Sequence, residues 1–225
     1  MKFSGRAVIA LLSILIGIVP ASGSAQNIAL QIQHCNDYTA ENQARIEACS
    51  DVIESGRVPD LAPFLFQRSQ LYAGEGDRLA AIGDLNNWLQ SAPQESGNYY
   101  YAGAAFSEVG EFTLALDYYD EAIRLDPENA AAYNNKAWLQ ATGPDENLRD
   151  GAQAIRDATR AVELTDSPVY RDTLAAAFAE ADDFESVVLE QARVVQEFEE
   201  SGDEANAAGA QTRLELYRQD IPYRQ

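Results

Sequence analysis

Side chains in the middle of this chain recur every 34 residues. Ala81, Leu85, Trp88 and Pro93 are followed at that offset by Ala115, Tyr119, Ala122 and Pro127. Tyr72 and Gly76 are matched in the same way by Phe106 and Gly110. A period of this length is the mark of a fold made by stacking one small unit on the next. A helix pair so short cannot bury its apolar face alone, so each pair must pack on its neighbour. Small residues at fixed sites let two helices approach, and an aromatic ring fills the space beside them.

Within the period, apolar residues return at helical spacing in blocks rich in Ala, Leu, Glu, Gln and Arg, all good helix formers. Gly, Pro, Asp and Asn separate the blocks, and no segment alternates like a convincing strand. The pattern predicts helices over about 39–54, 62–74, 77–91, 96–109, 112–125, 130–141, 147–164, 168–181, 184–200 and 203–219. Thr39 is expected to cap the first and Gly56 to end it. Residues 26–38 are ambiguous, with a short helix pinned by Cys35 as one reading. Asp145 and Glu146 are read as caps for the helix near Asn147, and Asp182 with Asp183 as a turn and cap. A calcium loop would need more oxygen ligands at regular spacing.

The start of the chain has a different character. Lys2 and Arg6 precede an almost wholly apolar run over 7–19, then Pro20 and the small residues of 21–25. This is the layout of a secretory signal, expected to be cut after Ala25. The run is short for a membrane span, so no stable insertion is expected, and the periplasm or the exterior is the expected location. The remainder keeps only two cysteines, Cys35 and Cys49. An oxidising compartment favours a disulfide between them. A free pair is the rival, as is a metal site with His34, the sole histidine, which lacks an obvious fourth ligand. With Lys and Arg at 16 against 36 acids, the net charge is −20. Such a surface repels nucleic-acid phosphates and anionic lipid. It confers solubility, and alternatively steers a basic partner.

The spacing and residue types resemble the tetratricopeptide repeat. The clearest copy, 96–129, carries Tyr99, Gly103, Phe106, Gly110, Ala115, Tyr119, Ala122 and Pro127 at signature sites. The copy at 62–95 departs at Arg68, Ser69 and Trp88. The copy at 130–168 takes extra residues around 142–147, and the copy at 169–202 is looser. The resemblance implies an all-α, right-handed superhelical solenoid of antiparallel helix pairs. It divides the chain into a signal (1–25), a degenerate leading repeat with the disulfide (26–57), four repeats (58–202) and a capping helix with a tail (203–225). It also implies that the first helix of each pair lines a concave groove. The inward candidates are then Phe66, Gln70, Tyr100, Asn134, Asn135, Trp138 and Thr173. In the run Tyr99, Tyr100 and Tyr101, Tyr99 is assigned to the core. At least one ring of that run is expected to face outward. The tail with Arg218, Tyr223 and Arg224 is read as part of a cap, or as a binding element in its own right.

No nucleophile elbow, phosphate loop or dinucleotide fingerprint is present, and the histidine base a serine or cysteine protease needs could only be His34, which adjoins a cysteine expected in a disulfide. The chain is therefore expected to be no enzyme and to need no cofactor or metal. It reads as an adaptor or scaffold of the cell envelope that takes a basic or apolar peptide or domain in its groove. Two alternatives stay open: a chaperone-like client binder, and a structural subunit of an envelope or secretion assembly that self-associates.

Overall fold

The structure is a computed structural model that describes residues 23–225. The apolar run over 7–19 lies outside the described residues. Eleven α-helices are present among those described. They are α1 (Gly23–Cys35), α2 (Asn42–Glu54), α3 (Ala62–Gly74), α4 (Arg78–Ser91), α5 (Ser96–Glu108), α6 (Phe112–Leu125), α7 (Ala130–Thr142), α8 (Gly151–Leu164), α9 (Pro168–Glu180), α10 (Phe184–Ser201) and α11 (Glu204–Tyr217). Each packs on the next, in an all-α solenoid of antiparallel pairs. The substantial contacts between alternate helices lie in the odd-numbered row, between α5 and α7 and between α7 and α9. The odd-numbered helices form the row that the repeat resemblance assigns to the inner side.

One turn recurs between paired helices. The amides of Asp77, Glu111, Asp183 and Asp203 donate back to the carbonyls of Tyr72, Phe106, Phe178 and Phe198 at 2.8–3.0 Å. This six-residue closure needs a left-handed residue just before the donor. Gly76, Gly110 and Gly202 supply it with φ of 75–77°, and Asp182 does so with φ 61°. Asp77, Asp183 and Asp203 then cap the next helix in each case. Gly103 has a different reason. A Cβ there would lie 2.6 Å from the Tyr119 ring, so only glycine lets α5 and α6 close.

Two features differ from the sequence expectation. Thr39 caps nothing: Asp37 accepts its amide and hydroxyl in a tight turn, and α2 begins at Asn42 after Glu41, which makes no side-chain cap. The helix expected from 147 is instead a short 3-10 turn over Glu146–Leu148, capped by Asp145, and α8 starts at Gly151 with Asp150 as its cap. The cause is a close crossing. A Cβ on Gly151 would meet the Ala181 nitrogen at 2.8 Å, so the chain must pass the end of α9 before it can coil. Residues 26–38 prove helical as far as Cys35, which is bonded to Cys49 in α2.

The core changes character along the stack. Between α3 and α7 it is built of large residues, among them Leu65, Leu85, Trp88, Phe106 and Tyr119. Between α7 and α9 it is alanine: Ala137, Ala141, Ala154, Ala158, Ala176 and Ala177. Alanine holds helix axes close, whereas rings hold them apart. The inner row is therefore wider in its N-terminal half.

Candidate functional site

The wide half leaves two openings. Phe66 on α3 packs on Trp88 at a centroid distance of 4.6 Å and meets the edge of Tyr101 at 6.2 Å. These rings, with Pro63, Ala92 and Pro93, line a mostly apolar cavity of about 430 Å³. On the other side of Phe66 a second cavity of about 430 Å³ is lined by Tyr38, Arg45, Gln67 and Gln70. Phe66 and Gln70 of α3 thus both border this second opening. Trp88 is a buried plug, not an outlier of the repeat. The Arg68 departure has a partner too. Its guanidinium forks onto Asp84 of α4 at 2.7 and 2.8 Å and reaches Ser50 of α2 at 2.8 Å. Asp84 raises the Arg68 pKa, against the opposing effect of burial. Arg68 is therefore spent on joining helices and is not available to a guest.

The middle of the row is narrower. Tyr100 leans on Tyr119 at 6.3 Å and on Tyr101 at 5.2 Å. Asn135 donates to the Tyr119 hydroxyl at 3.5 Å, and both line a cavity of about 210 Å³ with Glu108 and Trp138. Burial pushes the Tyr119 hydroxyl far above the usual range, so it stays neutral. Partial desolvation also raises Glu108, although its side chain is exposed. Asn134 is buried; its amide donates to Asn135 at 3.2 Å, while its carbonyl oxygen has no protein partner. Of the three adjacent tyrosines, Tyr101 is the exposed one. Tyr99 is half-buried, stacked on Tyr118.

The far half of the row is covered. Thr173 is buried and its hydroxyl donates to the Val169 carbonyl at 3.4 Å. Trp138 lies under Tyr223, 5.9 Å away, and Arg213, 5.5 Å away. Asp172 grips Arg213 through both carboxylate oxygens and also accepts from the buried Gln191 at 2.7 Å. No helical periodicity encodes this arrangement. Among the sequence candidates, Phe66 and Gln70 meet at one opening, Tyr100, Asn134, Asn135 and Trp138 form a continuous strip, and Thr173 lies apart. Sequence reasoning did not single out Tyr38, Arg45, Tyr101 and Arg213. Only the run of three tyrosines carried a signal, through its need for one outward ring.

The charged groups divide by depth. Arg68, Lys136, Arg149, Arg171 and Arg213 have side-chain exposures of 13–16% and are paired with carboxylates across helices. These largely covered cations thus hold the stack together, and the acid excess is left at the surface. Among the described residues no cluster of His, Cys, Asp or Glu could hold a metal ion, and no helix is long and apolar enough to cross a membrane.

Comparison with known proteins agrees with this architecture. The tetratricopeptide repeat profile matches residues 118–156. Tetratricopeptide repeat protein 36 of Homo sapiens is 36% identical over 76 residues, 34% of this chain and 38% of its own. Its homolog in Nematostella vectensis is 32% identical over 82 residues, 36% of this chain and 42% of its own. The chain thus spans less than half the length of these curated relatives. Among solved structures, MamA from Desulfovibrio magneticus superposes with a TM-score of 0.64 at 19% identity, covering 81% of this chain and 98% of its own. A tetratricopeptide repeat protein from Parabacteroides merdae gives 0.66 at 15%, covering 85% and 77%. At such identities the likeness is one of fold. Proteins of this kind are characteristically non-catalytic scaffolds for protein–protein interaction. Period, helix pairing and profile agree: the chain has the fold of tetratricopeptide-repeat proteins, and residues 118–156 match the repeat of that family.

Proposed function

We propose that this protein is an exported adaptor of the cell envelope that binds a partner segment along its inner row, seating an apolar or aromatic side chain beside Phe66. The observation that carries the reading is the pair of openings flanking Phe66, one of them mostly apolar in lining. Aromatic anchors in such pockets supply much of the energy of protein interfaces. The amides of Gln67 and Gln70 at the second opening can both donate to and accept from a peptide backbone. The acidic exterior favours a basic segment through faster encounter and a salt-dependent affinity. The Cys35–Cys49 bond and the apolar run at the start of the chain support export, since such a bond persists in oxidising compartments.

The test is crosslinking in the protein's own envelope with mass spectrometry of captured chains, against a Phe66→Ala/Tyr101→Ala variant of unchanged helicity. One dominant partner, lost in the variant, supports the adaptor. Many partners held without preference would point to a client binder. Capture untouched by the variant would move the interface off the inner row.

A further inference from the structure

The segment after α11 lies where a guest would. Tyr217, the last residue of α11, is fully buried against Ala175, Ala179 and Val187, and no residue beyond it is buried. Asp220 adopts a left-handed backbone, φ 56°, and turns the chain. Pro222 then stiffens the segment through its fixed φ. From there the segment packs on α9 through Tyr223 and reaches the end of α7.

Its contacts are those of a bound peptide. Tyr223 rests on Trp138 at 5.9 Å, with the Arg213 guanidinium 5.6 Å from its ring. Arg224 meets the Glu180 carboxylate at 2.6 Å and donates to the Ala141 carbonyl at 3.3 Å. The Gln225 amide donates to the Thr142 carbonyl at 3.0 Å. Ala141 and Thr142 close α7, so their carbonyls lack partners within the helix and carry its negative end. A guanidinium and an amide N–H match that end, and an aromatic ring matches Trp138 beside a fixed cation.

We propose that Trp138, Arg213, Glu180 and the last carbonyls of α7 form a peptide site selective for an aromatic residue followed by arginine, and that 221–225 is its resident, displaceable occupant. The proposal rests on the reading of the inner row as the partner-binding face. Displacement need not disturb the solenoid. α11 is anchored by Tyr217, buried on Ala175, Ala179 and Val187, and by the Arg213–Asp172 fork; Tyr223 adds only a half-buried ring at the edge of these contacts. Within the segment Ile221 is 45% exposed, and Arg224 and Gln225 are exposed. A tethered occupant competes at a high effective concentration, so an outside peptide binds the intact chain weakly until the tether is released.

The experiment uses the full chain. The probe is a fluorescent hexapeptide with the sequence of residues 220–225, blocked at both ends, followed by anisotropy. A Tyr223→Ala/Arg224→Ala variant should bind it about tenfold or more tightly than the parent chain. Adding Trp138→Ala to that variant should abolish binding, as should a peptide with its tyrosine and arginine replaced by alanine. Circular dichroism checks that each variant keeps its helices. If Trp138→Ala lowers helicity, Glu180→Gln in the released variant replaces it, with at least a severalfold loss expected. Equal binding by parent and released chains, or none by the released chain up to about 1 mM peptide, overturns the proposal. The assay needs no natural partner. An envelope crosslink that captures nothing would therefore sink the adaptor while leaving this result standing, and the reverse also holds.

Discussion

The four inter-helix turns share one hydrogen-bond pattern but not one residue. Three use glycine, whose φ above 70° costs it nothing sterically, and the fourth uses Asp182. An L-residue in this region is disfavoured by roughly 1–2 kcal/mol, less for Asp, which can bond locally. Gly110→Ala should therefore lower stability by about 1–2 kcal/mol. Asp182→Gly should be neutral or stabilising by up to about 1 kcal/mol. Urea denaturation reads both, and a loss beyond about 1 kcal/mol for Asp182→Gly would show that its carboxylate contributes more than its backbone does. Gly103 answers to a different constraint. Its Cβ space is taken by the Tyr119 ring and, at 3.1 Å, by the Ala115 carbonyl. Gly103→Ala should cost about 1–3 kcal/mol through overpacking, and a melt that matches the parent would mean α5 and α6 can part more easily than their packing suggests.

At the level of elements, α1 is the least supported part of the described stack. Its contacts are chiefly with α2, and residues such as Leu30 remain exposed. The disulfide compensates by fixing the end of α1 to α2 across a 14-residue separation. Closing a loop of that size is worth about 3 kcal/mol in the chain-entropy model. In a stack where each unit feels mainly its neighbours, the loss should stay local. Cys49→Ser is thus expected to speed amide exchange over 27–54 by tens of fold while leaving α7 to α11 unchanged. Uniform loss along the chain would mean that the stack unfolds as one unit. The helices themselves were legible from sequence because the apolar period and the Asp and Gly punctuation agree along most of the chain. The start of α8 was not, because the crossing near Ala181 is a contact between segments far apart in sequence. The site was legible only in part. The resemblance placed Phe66, Gln70 and Tyr100 on the inner row. Whether a ring there is open or covered depends on what the chain does elsewhere, and nothing around Trp138 announces Tyr223.

On the scale of the whole molecule, opposite charges occupy different depths. A net charge of −20 resides largely on exposed Asp and Glu, while the cations that link helices are largely covered. Salt weakens interactions between exposed charges, with a screening length near 10 Å at about 0.1 M, and affects buried pairs much less. Added salt therefore relieves repulsion more than it weakens the ion pairs, and the melting temperature should rise between low and moderate ionic strength. Protonation acts in the same direction at first. Glu108 is exposed, yet partial desolvation beside the cavity raises its folded pKa, so its protonated form is modestly favoured in the fold. Stability from that group is lost as pH rises through its folded pKa and is gained as pH falls. Asp37 and Asp145 run the other way. Hydrogen bonds from Thr39 and Asn147 lower their folded pKa values, and their contribution is lost only as pH falls below the ordinary carboxylate range. Removal of surface repulsion and protonation of Glu108 should thus raise stability from pH 7 to about 5, and loss of the bonded carboxylates should lower it again below about 4. Thermal melts across pH at fixed salt, repeated with Glu108→Gln, separate the two contributions. The variant should keep the rise due to surface charge but show a slightly smaller increment as pH falls toward the ordinary carboxylate range. A melting temperature that falls steadily from neutral pH would mean that the buried ion pairs, not the acidic exterior, dominate the electrostatics of the stack.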